Sequence, residues 1–218
     1  MHSPPMDTFK YKNQQNIWIL ALLFVMITGP VFAGPYCGEV DNTTFGPFDY
    51  TDPTKKEELK VVETHHFDRN VENLIAGTTS SIGGDLNYTL SAFPNHHKAL
   101  HTLSRLALRD KISRPEGTRY TVLCYFDRAI RFKPKDPVVR VIFSNHLLKQ
   151  NKLDMALEQL QIANDIEPDN PTTNYNLGLL YLKKRNYEKA LLHAKKAYEQ
   201  NFPLPGLKNK LVAAGKWK

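Results

Sequence analysis

The chain of 218 residues is 41% hydrophobic and 23% charged, too apolar for a disordered chain and too mixed for a multi-span membrane protein. Its 29 Lys and Arg against 22 Asp and Glu give a formal charge of +7, with the surplus read as scattered rather than gathered into a basic stripe, which argues against a nucleic acid partner. No G-x-S-x-G, P-loop or dinucleotide fingerprint occurs, so neither catalysis nor a bound cofactor is expected.

Residues 1–33 have the three parts of an export signal: Lys10 and Lys12, an apolar run over 17–27, then Gly29-Pro30 and the small-residue site Val31-Phe32-Ala33. The run, IWILALLFVMI, is shorter than the ~20 residues a membrane-spanning helix needs. Cleavage is therefore expected after Ala33, giving a periplasmic or secreted protein; the alternative is an inner-membrane anchor if the signal stays uncleaved. Cys37 and Cys124 both survive cleavage, and an even count in an oxidising compartment favours one disulfide. Two unpaired thiols, with Cys124 buried on its helix, are the alternative.

Residues 34–53 read as an irregular arm. Thr54-Lys55-Lys56-Glu57 has capping-box spacing, and Leu59, Val62, Phe67, Val71 and Leu74 continue one helical face as far as Gly77. TTSSIGG reads as a turn-rich connection, and Leu86, Leu90 and Phe93 mark a short amphipathic piece before Pro94-Asn95 restarts the chain. The next helix is expected over 95–109, with Ala99, Leu100, Leu103 and Leu106 on one face. RDKISRPEG follows as an insertion, and TVLCYFDRAIRFKP reads as a second helix.

A shift of 34 residues then superposes Pro137 on Pro171, Leu148 on Leu182, Lys149 on Lys183, Ala156 on Ala190, Leu157 on Leu191 and Ala163 on Ala197. With Leu177-Gly178, Tyr181, Ala190 and Ala197 in the second copy and Phe143-Ser144, Leu147, Ala156, Leu160 and Ala163 in the first, this stretch resembles two tetratricopeptide repeats. Small residues at Ser144, Gly178, Ala156 and Ala190 would let the helices of each pair approach closely. The stretch DLNYTLSAFPNHHKAL is also similar to small exported bacterial proteins of this family. The resulting expectation is an all-α chain of antiparallel helix pairs, a short α-solenoid. It comprises a signal at 1–33, an arm and helical region at 34–94, and a degenerate pair with its insertion at 95–136. Repeats follow at 137–170 and 171–204, and a capping helix at 205–218 with Leu207, Leu211 and Ala214 on its apolar stripe.

The resemblance implies a protein or peptide partner held on the concave face, lined by Val141, Asn145 and Lys149 and by Tyr175, Asn176, Leu179 and Lys183. Asn145 and Asn176 coincide with asparagines that hold a ligand backbone or terminal carboxylate in carboxylate-clamp members. Val141 stands where those members have Lys, so the clamp is incomplete and Lys149 and Lys183 would favour acidic segments. The alternative is that both asparagines only satisfy local helix contacts. Two other functions stay open at this level. His65, His66, His97 and His101 could take part in a zinc or copper site of a periplasmic metal-binding protein, or they and His96 could be packing and capping residues at a helix junction. An uncleaved signal would instead suit a membrane-tethered envelope assembly factor.

Overall fold

The computed structural model describes residues 37–40 and 45–217; the export signal expected at 1–33 lies outside them. All regular structure among the described residues is helical. The helices are α1 (Lys56–His66), α2 (Arg69–Glu72), α3 (Ile82–Ala92), α4 (His97–Asp110), α5 (Val122–Phe132), α6 (Pro137–Lys149), α7 (Leu153–Ile166), α8 (Pro171–Lys183), α9 (Tyr187–Glu199) and α10 (Gly206–Ala213). Neighbouring helices pack in antiparallel pairs, α4 with α5, α6 with α7 and α8 with α9, and α10 closes the array against α8 and α9. None of them is long and apolar enough to cross a membrane.

The 34-residue period is visible in the backbone. α6 and α8 each begin on a proline, Pro137 and Pro171, behind an N-cap side chain: Asp136 accepts from the Val138 and Val139 amides, and Asn170 from that of Thr173. Proline suits a first helical position because its missing N–H is one that the helix leaves unpaired. Between α6 and α7 the chain turns through Asn151 at φ 59°, and between α8 and α9 through Arg185 at φ 60°, one period later. Gly178 sets the spacing at the end of the array. A Cβ there would lie 2.4 Å from Leu207 Cδ2 and 3.3 Å from the Ala190 carbonyl oxygen, so α8 touches both α9 and the cap.

A further junction extends the repeat toward the amino terminus. The Phe93, Lys133 and Glu167 amides donate to the Thr89, Ala129 and Ala163 carbonyls. Three residues later, the His96, Asp136 and Asn170 amides donate to the Phe93, Lys133 and Glu167 carbonyls. His96 then caps α4 as Asp136 caps α6, its Nδ1 accepting from the Ala99 amide. The end of α3 is thus built like the ends of α5 and α7, and α1 packed on α3 forms a diverged pair of its own.

Several local expectations need correction. Thr54 does not cap the first helix, which has no side-chain cap: the Asp52 carboxylate accepts from both the Thr54 amide and its hydroxyl, opening a 3-10 turn at Pro53–Lys55 that leads into α1. The continuous face expected as far as Gly77 breaks at Phe67. There Asp68 accepts from the Asn70 and Val71 amides and starts α2, while the Phe67 ring turns into the core. The segment IGG belongs to α3, capped by Ser81, and a Cβ on Gly83 would meet the Glu116 carbonyl oxygen at 2.0 Å, so the insertion after α4 folds back onto α3. In the cap, Leu207 and Leu211 are buried but Ala214 is exposed, because α10 ends one residue before it.

Two cores share one helix. Val71, Leu86, Leu100, Leu103, Phe126 and Val139 fill the amino-terminal core; Val141, Leu147, Leu160, Leu177, Leu180 and Leu207 fill the other. Phe143, on α6, packs against both. The arm is bound along α5. Cys37 is disulfide-bonded to Cys124, Arg128 donates to the Cys37 and Glu39 carbonyls, and Arg131 donates to that of Gly38. Farther along, the Phe48 amide donates to the Ala92 carbonyl and its ring lies 5.4 Å from that of Phe93.

Candidate functional site

Because α6 and α8 start on equivalent prolines, Lys149 and Lys183 occupy the same register position of successive first helices. Between these helices lies an open cleft of about 490 Å³, lined by Asn145, Leu148 and Lys149 from α6 and by Asn176, Leu179, Leu180 and Lys183 from α8. A second cleft of about 360 Å³ shares Leu179 and Lys183 with the first and adds Leu182 and, from α10, Lys210. The combined trough has a leucine floor and cationic sides, and no carboxylate lines it.

The two asparagines of the trough differ from a third nearby. Asn174 is fully buried and saturated: its amide nitrogen donates to the Pro168 and Asn170 carbonyls, and its oxygen accepts from His193 Nδ1 at 2.8 Å. Among the described residues, no hydrogen bond engages the side chain of Asn145 or Asn176. An amide of this kind can donate to a carbonyl and accept from an N–H of the same ligand backbone. Lys183 reaches Asn151 Oδ1 at 3.5 Å, the limit of a hydrogen bond, whereas its neighbour Lys184 is neutralised by Asp154. No described carboxylate pairs with Lys149, Lys183 or Lys210.

Of the seven residues expected on the groove, the structure places Asn145, Lys149, Asn176, Leu179 and Lys183 around the cleft. Val141 and Tyr175 are elsewhere. They share one register position of the repeat, and that position faces the core: Val141 is 8% and Tyr175 9% exposed, with the tyrosine ring stacked 4.3 Å from Phe202. Leu148, Leu180, Leu182 and Lys210 were missed. The match of Leu148 with Leu182 under the 34-residue shift could have signalled the first. The charge pattern also differs from the scattered surplus expected, because residues 183–218 hold ten of the basic side chains and two of the acidic ones, as many excess charges as the whole chain carries and one more.

The histidines form pairs rather than a metal centre. His66 Nδ1 lies 3.1 Å from Asp85, and His66 stacks on Tyr88; His97 Nε2 lies 2.8 Å from Asp136; His96 Nε2 lies 3.1 Å from Glu63. His65 and His101 are exposed. No three His, Cys, Asp or Glu side chains converge as a metal site among the described residues, because each ring is directed to its own carboxylate or to solvent. Burial alone would raise the Asp85 carboxyl. Hydrogen bonds from Thr79, His66 and the Thr78 and Thr79 amides outweigh that and hold it down at about 2. Asp136 is treated alike: burial raises it, and His97, Asn95 and the Val139 amide bring it below the usual range. Asn95 donates to both Asp136 and Asp49, and Lys133 pairs with Asp49, so this cluster fixes the arm to the α3–α4 and α5–α6 junctions.

Residues 145–184, from the middle of α6 to just past α8, match a family model described as TPR repeat. The anaphase-promoting complex subunit CDC16 of Saccharomyces cerevisiae is 30% identical over 84 residues, 38% of this chain. The chain spans about a tenth of that relative's length, as the match covers 10% of it.

Proposed function

Since residues 145–184 match a tetratricopeptide-repeat model, we propose that the chain is an exported, non-catalytic scaffold that holds an extended segment of a protein partner along the trough of α6, α8 and α10. The observation that carries this is the pair of asparagine amides, Asn145 and Asn176, set in a leucine-floored cleft without a hydrogen bond to the rest of the described chain. Asn174, which is buried, is spent on the fold, whereas the amides of exposed Asn145 and half-buried Asn176 are open to solvent and to a ligand. The yeast relative is by name a subunit of a multiprotein complex, which agrees with an interaction role and carries no particular partner over to this chain. Export is supported by the three-part pattern of residues 1–33 and by a disulfide suited to an oxidising compartment.

The test is in-cell crosslinking and capture of the tagged full chain beside an Asn145→Ala/Asn176→Ala/Lys183→Ala variant with an unchanged circular dichroism spectrum. Loss of a specific partner from the variant is the expected result. Retention of every partner would move the working surface elsewhere. Intact mass of the captured protein tests export, since cleavage after Ala33 leaves a chain beginning at Gly34.

A further inference from the structure

The surplus charge of the molecule is gathered in its last helices. Residues 34–182 hold 17 basic and 19 acidic side chains, whereas residues 183–218 hold ten and two. Among the described residues of that last stretch, Lys184 is the one cation paired with a carboxylate, and Arg185, Lys195, Lys208, Lys210 and Lys216 are exposed without one. Charges of one sign crowded together repel and weaken the fold, so a surplus left unpaired suits a surface of opposite sign outside the chain.

Aromatic contacts place part of this surplus on a single patch. The Trp217 ring lies edge-on to Tyr198 with centroids 5.7 Å apart, Lys208 Nζ stands 5.2 Å from the Trp217 centroid, and Lys216 Nζ stands 5.5 Å from that of Tyr187. The Tyr198 hydroxyl donates to the Leu204 carbonyl and accepts from the Lys208 amide. On α10, Leu207 and Leu211 are buried, and Lys208 and Val212, one residue further on and one turn apart, flank one side of that stripe. Lys210, one residue before Leu211, flanks the other side and lines the trough. The patch therefore lies across α10 from the trough. Leu204 and Val212 each remain 55% exposed within it.

Lysines beside Tyr and Trp rings, with aliphatic side chains left in water among them, match the chemistry of a bilayer interface. There the ammonium groups reach lipid phosphates, the rings sit at headgroup level, and Leu and Val enter the acyl boundary. A second copy of the patch would meet like charge. A nucleic acid would pair with the lysines but leave Leu204 and Val212 in water, and Lys208 covers a face of Trp217 that could stack on a base. We propose that the patch around Tyr198 and Trp217 docks the protein on an anionic lipid bilayer. This goes beyond the scaffold function: it sets the trough beside a membrane surface and uses neither Asn145 nor Asn176.

Vesicle co-sedimentation tests this with the chain beginning at Gly34, since residues 35–218 form one compact unit. The vesicles are phosphatidylcholine alone and an equal mixture with phosphatidylglycerol. Binding is expected to the mixture only and to weaken with added salt. Trp18 lies within the export signal, so Trp217 is the single tryptophan of this chain, and its emission should shift to the blue on binding. Lys208→Ala and Lys216→Ala should each weaken binding about fivefold, the contribution of one lysine at an anionic surface. Leu204→Ser and Val212→Ser, at exposed positions, should weaken it without altering its salt dependence. Lys60→Ala removes the same charge from the exposed side of α1 and should change nothing. Binding without a change in Trp217 emission, or unaffected by the Lys208 and Lys216 substitutions, would overturn the patch. No binding, equal binding to both vesicles, or tighter binding of duplex DNA or poly-glutamate at the same salt would overturn the bilayer. The Asn145→Ala/Asn176→Ala protein should bind vesicles as the unaltered chain does, so failure here leaves the capture experiment and the scaffold function standing.

Discussion

Ser104 on α4 and His146 on α6 meet inside the protein, with the hydroxyl oxygen 2.8 Å from Nδ1 of a ring that is 2% exposed. Gln150 Nε2 lies 3.0 Å from the other ring nitrogen and donates to it, so the proton sits on Nδ1 and points to Ser104. Burial, with Lys152 adding to it, pushes the ring down to about 4. The folded value lies below that of an unfolded histidine, so the contribution is complete above about pH 6.5 and is lost as pH falls toward 4. From pH 7 to pH 5 this one ring should reduce the unfolding free energy by about 2 kcal/mol. Urea unfolding at the two pH values checks it, and a His146→Gln variant should lose that share of the acid sensitivity whatever its stability at neutral pH.

The contact between Gly178 and Leu207 allows a directed test of the cap. Gly178→Ala should destabilise the protein by about 1–3 kcal/mol, because the new methyl group overlaps a fully buried leucine. Leu207→Ala alone should cost about 2–5 kcal/mol. Together the two should cost less than their sum, since the truncated side chain leaves room for the methyl group. Denaturant unfolding of the four proteins gives the coupling directly.

Asn174 and Asn176, two residues apart on α8, should respond differently. Asn174→Ala strands the Pro168 carbonyl and a histidine N–H, the Asn170 carbonyl keeping the Asn174 backbone amide, and should cost about 1–3 kcal/mol. Asn145→Ala and Asn176→Ala remove no hydrogen bond within the described chain and should change stability by less than about 0.5 kcal/mol. A large loss at Asn145 or Asn176 in thermal unfolding would mean that the cleft amides serve the fold.

Removing the link between arm and helix should be costly. Cys37 and Cys124 are separated by 87 residues, and a loop of that size is worth about 4.6 kcal/mol in the chain-entropy account. The Cys37→Ser/Cys124→Ser protein should lose stability of that order and become open to proteolysis near the arm. Chemical denaturation and limited digestion of oxidised and doubly substituted protein measure both effects.

The sequence was most readable where one residue type answers one geometric need. Pro137 and Pro171 open equivalent helices, and Ala156, Ala163, Ala190 and Ala197 are fully buried where helices meet, so the repeat and its all-α class were legible before any coordinates. The amino-terminal pair was obscured because its junction stands 40 residues, not 34, from the next, and because a histidine, His96, performs the capping that Asp136 and Asn170 perform later. In the cleft, periodicity located Lys149 and Lys183, but a family pattern gives no depth along a helix face. Val141 and Tyr175 therefore looked available and are in the core. Lys210 could not be found from the repeat at all, since α10 has no second helix to define its register.

The shared helix gives the trough a reach beyond its own residues. α6 carries Asn145 and Lys149 on one side and, through Val139 and Phe143, forms a wall of the amino-terminal core. A segment seated in the cleft steadies α6 only when folded, and by linkage the stabilisation it confers extends to whatever opens together with α6. Amide hydrogens on α4 and α5, which no ligand touches, should then exchange more slowly as the trough fills, turning the far half of the molecule into a gauge of occupancy.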